Sequence, residues 1–223
     1  LFSKSTTQIL HRKKLAFLKF PILFLEKFTF SAANKINLVS EGFKPYIDKK
    51  FPNKALSFYT NGIDDLFLEY DYTKNMKNYK KIELLYAGNI GEGQGLHKIL
   101  PKLAKSLDDK VEIIVIGDGG KRLELLEEIE RQGCKNIKIK APVGRNKLLE
   151  YYKKCDVLFL HLNNFEAFEE VIPSKIFEYA ATGKPILAGV NGFSREFIQK
   201  NVKNCEVFKP CDLSACLNAY QNL

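Results

Sequence analysis

Between Ile82 and Val190 five short, strand-like runs, four of them nearly all apolar, alternate with stretches patterned as helices, and this alternation restricts the fold more than any other feature of the chain. The runs are IELLYAG (82–88), VEIIVIG (111–117), IKIK (137–140), VLFLHL (157–162) and PILAGV (185–190). Residues 96–107, 122–132, 147–153 and 175–181 carry the helical patterning. Strands this apolar must lie in a sheet covered on both faces. Strands that alternate with helices join in parallel through right-handed crossovers, which predicts an α/β, Rossmann-like doubly wound sheet. Sheets of this kind bind ligands at the carboxyl ends of their strands. A hydrophobic content of 45% supplies enough apolar side chains for such a core.

Upstream the pattern is less regular. Residues 22–33 read as a helix, 35–40 (KINLVS) as a strand, 41–50 as a short helix interrupted by Pro45, and 56–60 as a second strand. Asn61-Gly62 is a turn signal, and the lysine-rich stretch from Tyr70 to Lys81 reads as a linker. Two units follow, residues 1–70 and 71–223. Leu1 in place of an initiator Met leads us to expect a segment of a longer protein.

The net charge of +9 sits almost entirely in residues 1–60, with eleven Lys or Arg against three Asp or Glu. That asymmetry asks for an anionic partner. Residues 11–30 (HRKKLAFLKFPILFLEKFTF) mix basic residues with Phe and Leu, which suits an anionic membrane surface rather than a nucleic acid; a core helix with a solvated basic side is the other reading. Lys19, Pro21, Glu26 and Lys27 break the run before the ~20 apolar residues that a membrane span requires. The five cysteines, at 134, 155, 205, 211 and 216, form no CxxC pair, which fits a reduced, cytoplasmic protein.

Three stretches carry candidate chemistry. The first strand of the regular unit ends in Ala87-Gly88-Asn89-Ile90-Gly91-Glu92-Gly93-Gln94-Gly95 and opens directly onto a helix. Glycines let the backbone approach a phosphate, and a helix start offers N–H donors. The GxxGxGxG spacing differs from the GxGxxG of dinucleotide sites, and a tight structural turn would use the same residues. The second strand ends in Gly117-Asp118-Gly119-Gly120, where Asp118 reads as a turn former, so a nicotinamide enzyme is disfavoured. Arg145 is a cation at a strand-to-helix loop, either facing a diphosphate or simply solvated.

The third stretch is EEVIPSKIFEYAATGKPIL, residues 169–187. Pro173 and Ser174 begin a helix, with Ser174 suited to cap it, and Gly183 and Pro185 end it. Lys175 at the helix start supplies charge for a diphosphate. Glu178 can accept both vicinal hydroxyls of a ribose, and Glu170, just before the helix, can accept from sugar hydroxyls; either acid also reads as a solvated surface residue. His161, closing the fourth strand, reads as a packing residue or as a support for groups at the site. No metal-ligand set and no Gly-x-Ser-x-Gly elbow occurs, so metal and acyl chemistry have no support.

AGNIGEGQGL, VIGDGG, CDVLFL and the E-x7-E pair Glu170 and Glu178 within PSKIFEYAATGKPIL, in that order, resemble family 4 retaining glycosyltransferases of the GT-B fold. The resemblance runs from Leu84 to about Pro210, and NLVSEGF and TNGID extend it upstream. It is similar in style to bacterial transferases that build O-antigen, capsule or exopolysaccharide units. The resemblance implies that residues 71–223 bind a nucleotide sugar, with Glu178 on the ribose, Glu170 on the donor sugar, and the loop of Asn89, Gly91 and Gly93 at the diphosphate. Many members place Arg and Lys where this chain has Asn89 and Gln94. The cation then falls first to Lys175, beside Ser174 at the helix start, and second to Arg145 after the third strand.

The implied reaction moves a sugar from a nucleoside-diphosphate sugar, with UDP favoured, to a lipid-linked saccharide acceptor with retention, using no metal or other cofactor. Glu170 and Lys175 are the expected catalytic groups. Residues 1–70 would then be the end of an acceptor-binding domain, and the enzyme would sit peripherally on the cytoplasmic face of a membrane. A non-catalytic sugar-nucleotide-binding module that works with a separate acceptor-binding chain has the same sequence features.

Overall fold

A computed structural model describes residues 19–73 and 81–223. Six strands form one wholly parallel sheet: β3 (Ile82–Ala87), β4 (Val111–Ile116), β5 (Ile137–Lys140), β6 (Val157–His161), β7 (Ile186–Gly189) and β8 (Cys205–Phe208). Their order across the sheet is β5-β4-β3-β6-β7-β8, so the chain reverses its direction of travel between β3 and β6. Such a reversal opens a crevice beyond the strand ends.

Alternate residues of each strand feed two cores, as the two-residue period of a strand requires. Leu84, Ile113, Val115, Phe159 and Leu187 pack on one face with α4 (Leu96–Leu107), α5 (Arg122–Gln132) and α9 (Leu213–Gln221). Leu85, Ile114, Leu158, Leu160 and Ala188 pack on the other with α6 (Arg145–Lys154), α7 (Lys175–Ala181) and α8 (Gly192–Asn201). This is the doubly wound sheet that the apolar runs predicted. The elements α8, β8 and α9 come in addition to those read from the sequence.

The first unit holds α1 (Lys19–Ala32), β1 (Lys35–Leu38), α2 (Lys44–Lys50) and β2 (Ala55–Phe58), followed by α3 (Asp65–Glu69). β1 and β2 form a separate two-stranded parallel sheet. Pro45 does not interrupt a helix. It lies in the first turn of α2, where a missing N–H costs nothing, and residues 41–43 form a separate 3-10 turn before it.

α1 carries its polarity inside out. Glu26 is 5% exposed and bonds to Tyr46 and, at 3.4 Å, to Lys50 Nζ, whereas Phe20, Phe24 and Phe28 are 79%, 73% and 65% exposed. Of the basic, aromatic stretch 11–30, residues 11–18 lie outside the described residues. The linker expected from Tyr70 to Lys81 lies partly outside them too, although Tyr70 and Tyr72 pack against the core of the larger unit. No helix of the described residues is long and apolar enough to cross a membrane.

Candidate functional site

At the carboxyl ends of β3 and β4 the chain leaves a cleft of about 320 Å³. Ala87, Gly88 and Asn89 form one wall, Ile116, Gly117 and Asp118 a second, and Pro142, Val143 and Leu148 an apolar third, with Lys175 reaching in from α7. A second cleft, about 390 Å³, runs between the first unit and α8 and is lined by none of the candidate binding or catalytic residues.

The glycines at the two strand ends serve each other before any ligand. A Cβ on Gly117 would stand 1.8 Å from the Gly88 carbonyl oxygen, and one on Gly119 would stand 2.6 Å from that of Ile90. The close approach lets Gly88 N–H donate to Ile116 O at 2.9 Å and Ile90 N–H to Asp118 O at 2.8 Å. Gly-Asp-Gly-Gly is thus the seat for the loop after β3.

That loop is closed by Asn89 and Gln94. Gln94 Oε1 accepts from Asn89 Nδ2 at 2.9 Å and from Gly91 N–H at 3.3 Å. Gly93 O accepts from Asn163 N–H at 2.8 Å, and a Cβ on Gly93 would touch the Phe168 ring at 3.0 Å. The buried His161 ties the loop down further, with Nδ1 2.6 Å from Gln94 O and Nε2 accepting from Cys211 N–H at 3.0 Å. Burial pushes its pKa down to about 4. A neutral ring donating through Nδ1 satisfies both bonds. His161 is therefore a packing group, as its position suggested.

Charges near the loop escaped the sequence reading. Glu92, inside the glycine loop, lies 3.2 Å from Lys98 Nζ and 3.1 Å from Lys121 Nζ. Burial raises its pKa, and the two ammonium groups outweigh that and hold it below the ordinary value. A lysine one turn into a helix and another just before the next helix make no motif.

The stretch opening α7 differs in detail from expectation. Ser174 occupies the position before the first helical residue, yet its side chain makes no capping bond and its backbone is already helical (φ −57°, ψ −28°). Ile176 and Phe177 N–H donate instead to the Pro173 and Ser174 carbonyls, at 3.0 and 3.1 Å. A tight turn thus does the work expected of the hydroxyl. Lys175 Nζ donates to Glu178 Oε2 at 2.8 Å, and Tyr152 Oη donates to the same oxygen at 3.0 Å. Tyr179, on the inner side of α7, accepts from Ala87 N–H at 3.2 Å and so fixes the helix to the end of β3.

Arg145 is not in a loop. It is the first residue of α6, is 70% exposed, and pairs with Asp64 at 2.5 Å. The structure does not bring it to the lining of the cleft.

Glu170 sits on a loop whose main chain is gripped three times in succession. Glu169 O accepts from Phe193 N–H at 2.7 Å, Glu170 O from Ser40 Oγ at 2.6 Å, and Val171 O from Ser194 Oγ. Ser40 belongs to the first unit, and Gly42 beside it approaches so closely that a Cβ there would be 2.6 Å from Glu170 O. The loop between β6 and α7 is thus held from two directions.

Comparison with known proteins agrees with this architecture. Residues 71–221 match the family model described as Glycosyl transferases group 1. A putative colanic acid biosynthesis glycosyl transferase, WcaI of Escherichia coli K12, is 28% identical over 109 residues, which are 49% of this chain and 26% of that protein. Among solved structures, Staphylococcus aureus TarM superposes with a TM-score of 0.68 at 11% identity, over 86% of this chain and 37% of TarM. Anabaena Alr3699/HepE, solved with UDP and glucose, superposes with a TM-score of 0.66 at 15% identity, over 85% of this chain and 53% of HepE. The chain therefore spans about a quarter of the curated relative and between a third and about half of these structures. Identities this low speak for the fold alone, and the fold is the Rossmann-like α/β sheet of GT-B transferases. The family model extends over most of the chain, which belongs to the glycosyl transferases group 1 family.

Proposed function

We propose that this chain is the donor-binding half of a retaining glycosyltransferase that moves a sugar from a UDP-sugar to a saccharide acceptor carried on a lipid. The observation that carries the reading is the cleft at the ends of β3 and β4 with the Lys175 and Glu178 pair beside it. Its apolar wall of Pro142, Val143 and Leu148 suits the face of a base. Glu178 takes the ribose hydroxyls. Lys175, on a flexible stem, turns from Glu178 to the diphosphate, supported by the loop of Asn89, Gly91 and Gly93 and by the start of α7 at Ser174. Glu170 faces the donor sugar.

In the reaction the bond between the anomeric carbon and the phosphate oxygen breaks, and its electron pair leaves with the nucleoside diphosphate. The acceptor oxygen bonds to the oxocarbenium-like carbon on the face just vacated, and the hydroxyl proton departs with the diphosphate. Charge grows on the leaving phosphate, where Lys175 and fixed N–H donors stabilise it without a metal ion; one such group lowers the barrier by roughly 2.7 to 4 kcal/mol. The exposed pairing of Arg145 with Asp64 leaves Lys175 as the principal cation.

The description of the E. coli relative supports a place in cell-surface polysaccharide synthesis. The outward Phe20, Phe24 and Phe28 of α1, close to Lys27, support work at the cytoplasmic face of an anionic membrane.

Thermal-shift and calorimetric titration of the chain with UDP, UDP-glucose and GDP tests the reading. A ligand bound only by the folded state raises the melting temperature by mass action. Binding of UDP is expected; no binding of any nucleoside diphosphate overturns the assignment.

A further inference from the structure

Glu178 is held on the α6 side by a residue that no motif singles out. Tyr152 is fully buried on α6, its ring set edge-to-face on Tyr179 at 5.6 Å and 88° and against Phe67 at 6.1 Å. Its hydroxyl reaches Glu178 Oε2 at 3.0 Å. Burial, then the neighbouring Tyr179 and Glu178, push the ionisation of this phenol far above its ordinary range, so the hydroxyl stays a donor at any physiological pH.

The two donors on Oε2 differ in what they can do. Lys175 is partly exposed, lines the cleft and moves on a four-carbon stem. Tyr152 is locked by two aromatic neighbours and cannot follow a ligand. When Lys175 swings toward a phosphate, Tyr152 is the donor left on the carboxylate. A carboxylate that is to accept two vicinal hydroxyls must keep its plane, and a rigid donor on one oxygen keeps it.

We propose that Tyr152 is a positioning residue for ribose recognition, its hydroxyl holding Glu178 Oε2 in place when Lys175 is drawn away to the diphosphate. This rests on the assignment of Glu178 to the ribose. In the absence of the hydroxyl, Lys175 is the one donor to the carboxylate among the described residues, and Glu178 and the diphosphate then compete for it.

The test compares dissociation constants for UDP and 2′,3′-dideoxy-UDP, measured by calorimetry on the full chain as wild type, Tyr152→Phe, Glu178→Gln and the double variant. Tyr152→Phe preserves the ring and its packing, and its melting temperature is checked alongside. Its preference for UDP over the dideoxy analogue is expected to fall about tenfold, the scale of one hydrogen bond to a charged group, with dideoxy-UDP binding nearly unchanged. In the Glu178→Gln background the Tyr152→Phe change is expected to add little, because the two side chains act as one unit. The proposal is overturned if Tyr152→Phe keeps the wild-type preference while Glu178→Gln loses it. Retention of the wild-type preference in Glu178→Gln overturns the ribose assignment and this proposal with it. If Tyr152→Phe does not fold, Phe67→Leu, which loosens the Tyr152 ring and keeps its hydroxyl, decides: an unchanged preference for UDP over the dideoxy analogue overturns the proposal, and a reduced one supports it.

Discussion

Lys175 Nζ and Glu178 Oε2 are 2.8 Å apart, so the cation proposed for a phosphate and the acid proposed for a ribose are each other's partner. Both are partly exposed, and a pair of this kind contributes little to stability by itself. In the proposed reading it keeps both groups beside the cleft and makes their release part of binding.

Removing the cation should therefore separate phosphate from nucleoside. Lys175→Ala is expected to weaken UDP by about 10- to 100-fold, the range for charge-assisted bonds. Uridine, which needs only Glu178, should bind as well as before or slightly better. Glu178→Ala should weaken both ligands. Calorimetric titration of the two variants with UDP and uridine measures the four constants; an unchanged ratio in Lys175→Ala would remove Lys175 from the diphosphate.

For Glu170 the expected phenotype is selective. Glu170→Ala should leave UDP binding unaltered and weaken UDP-glucose. Gly42→Ala should reproduce that selectivity without touching the acid, because its new methyl group would lie 2.6 Å from Glu170 O and push the loop aside. Competition of UDP-glucose against a fluorescent UDP analogue reads both effects, and equal loss of the two ligands would count against a sugar-specific role.

The seat formed by the second glycine run makes a stability prediction. Gly117→Ala places a Cβ 1.8 Å from the Gly88 carbonyl oxygen, whereas Gly120→Ala meets nothing within 4 Å. The first is expected to cost more than about 3 kcal/mol of folding stability and the second less than about 1 kcal/mol. Urea unfolding curves of the two variants distinguish them directly.

His161 predicts a pH dependence. Its folded pKa is lowered to about 4 by burial, below an unfolded value near 6.5, so the unfolded chain binds the extra proton first. Its contribution is whole above about pH 6.5 and is lost as pH falls toward 4, at up to about 1.4 kcal/mol per pH unit. Urea unfolding from about pH 7 to about pH 4.5 should show this decline in wild type and a shallower one in His161→Asn. Burial lowers the pKa of His97 as well, so part of the slope will remain.

Between Ile82 and Val190 the strands and helices were legible to within a residue or two, because four of the five strands are apolar runs and IKIK alternates in the two-residue period of a strand. Cys205–Phe208 was not: CEVF is a short edge strand with three partly exposed residues and no apolar run to mark it. Arg145 was misplaced because Pro142 and Gly144 signal a loop, while the helix starts immediately after them. Of the site, the types of residue in α7 were legible, and their pairing was not. Tyr152 lies 26 positions before Glu178, and nothing in either local pattern links them. The charges around Glu92 were hidden in the same way, since they gather from three elements.

The triple hold on residues 169 to 171 acts on carbonyl oxygens, which every amino acid has. The place of residue 170 is therefore held through the main chain. With Glu170 proposed to face the sugar, exchange of that side chain would change the sugar preferred and leave the loop geometry as it is. Divergence in donor choice on this scaffold then needs single substitutions rather than a rebuilt loop, and Ser40 and Ser194 are the positions that such drift should leave alone.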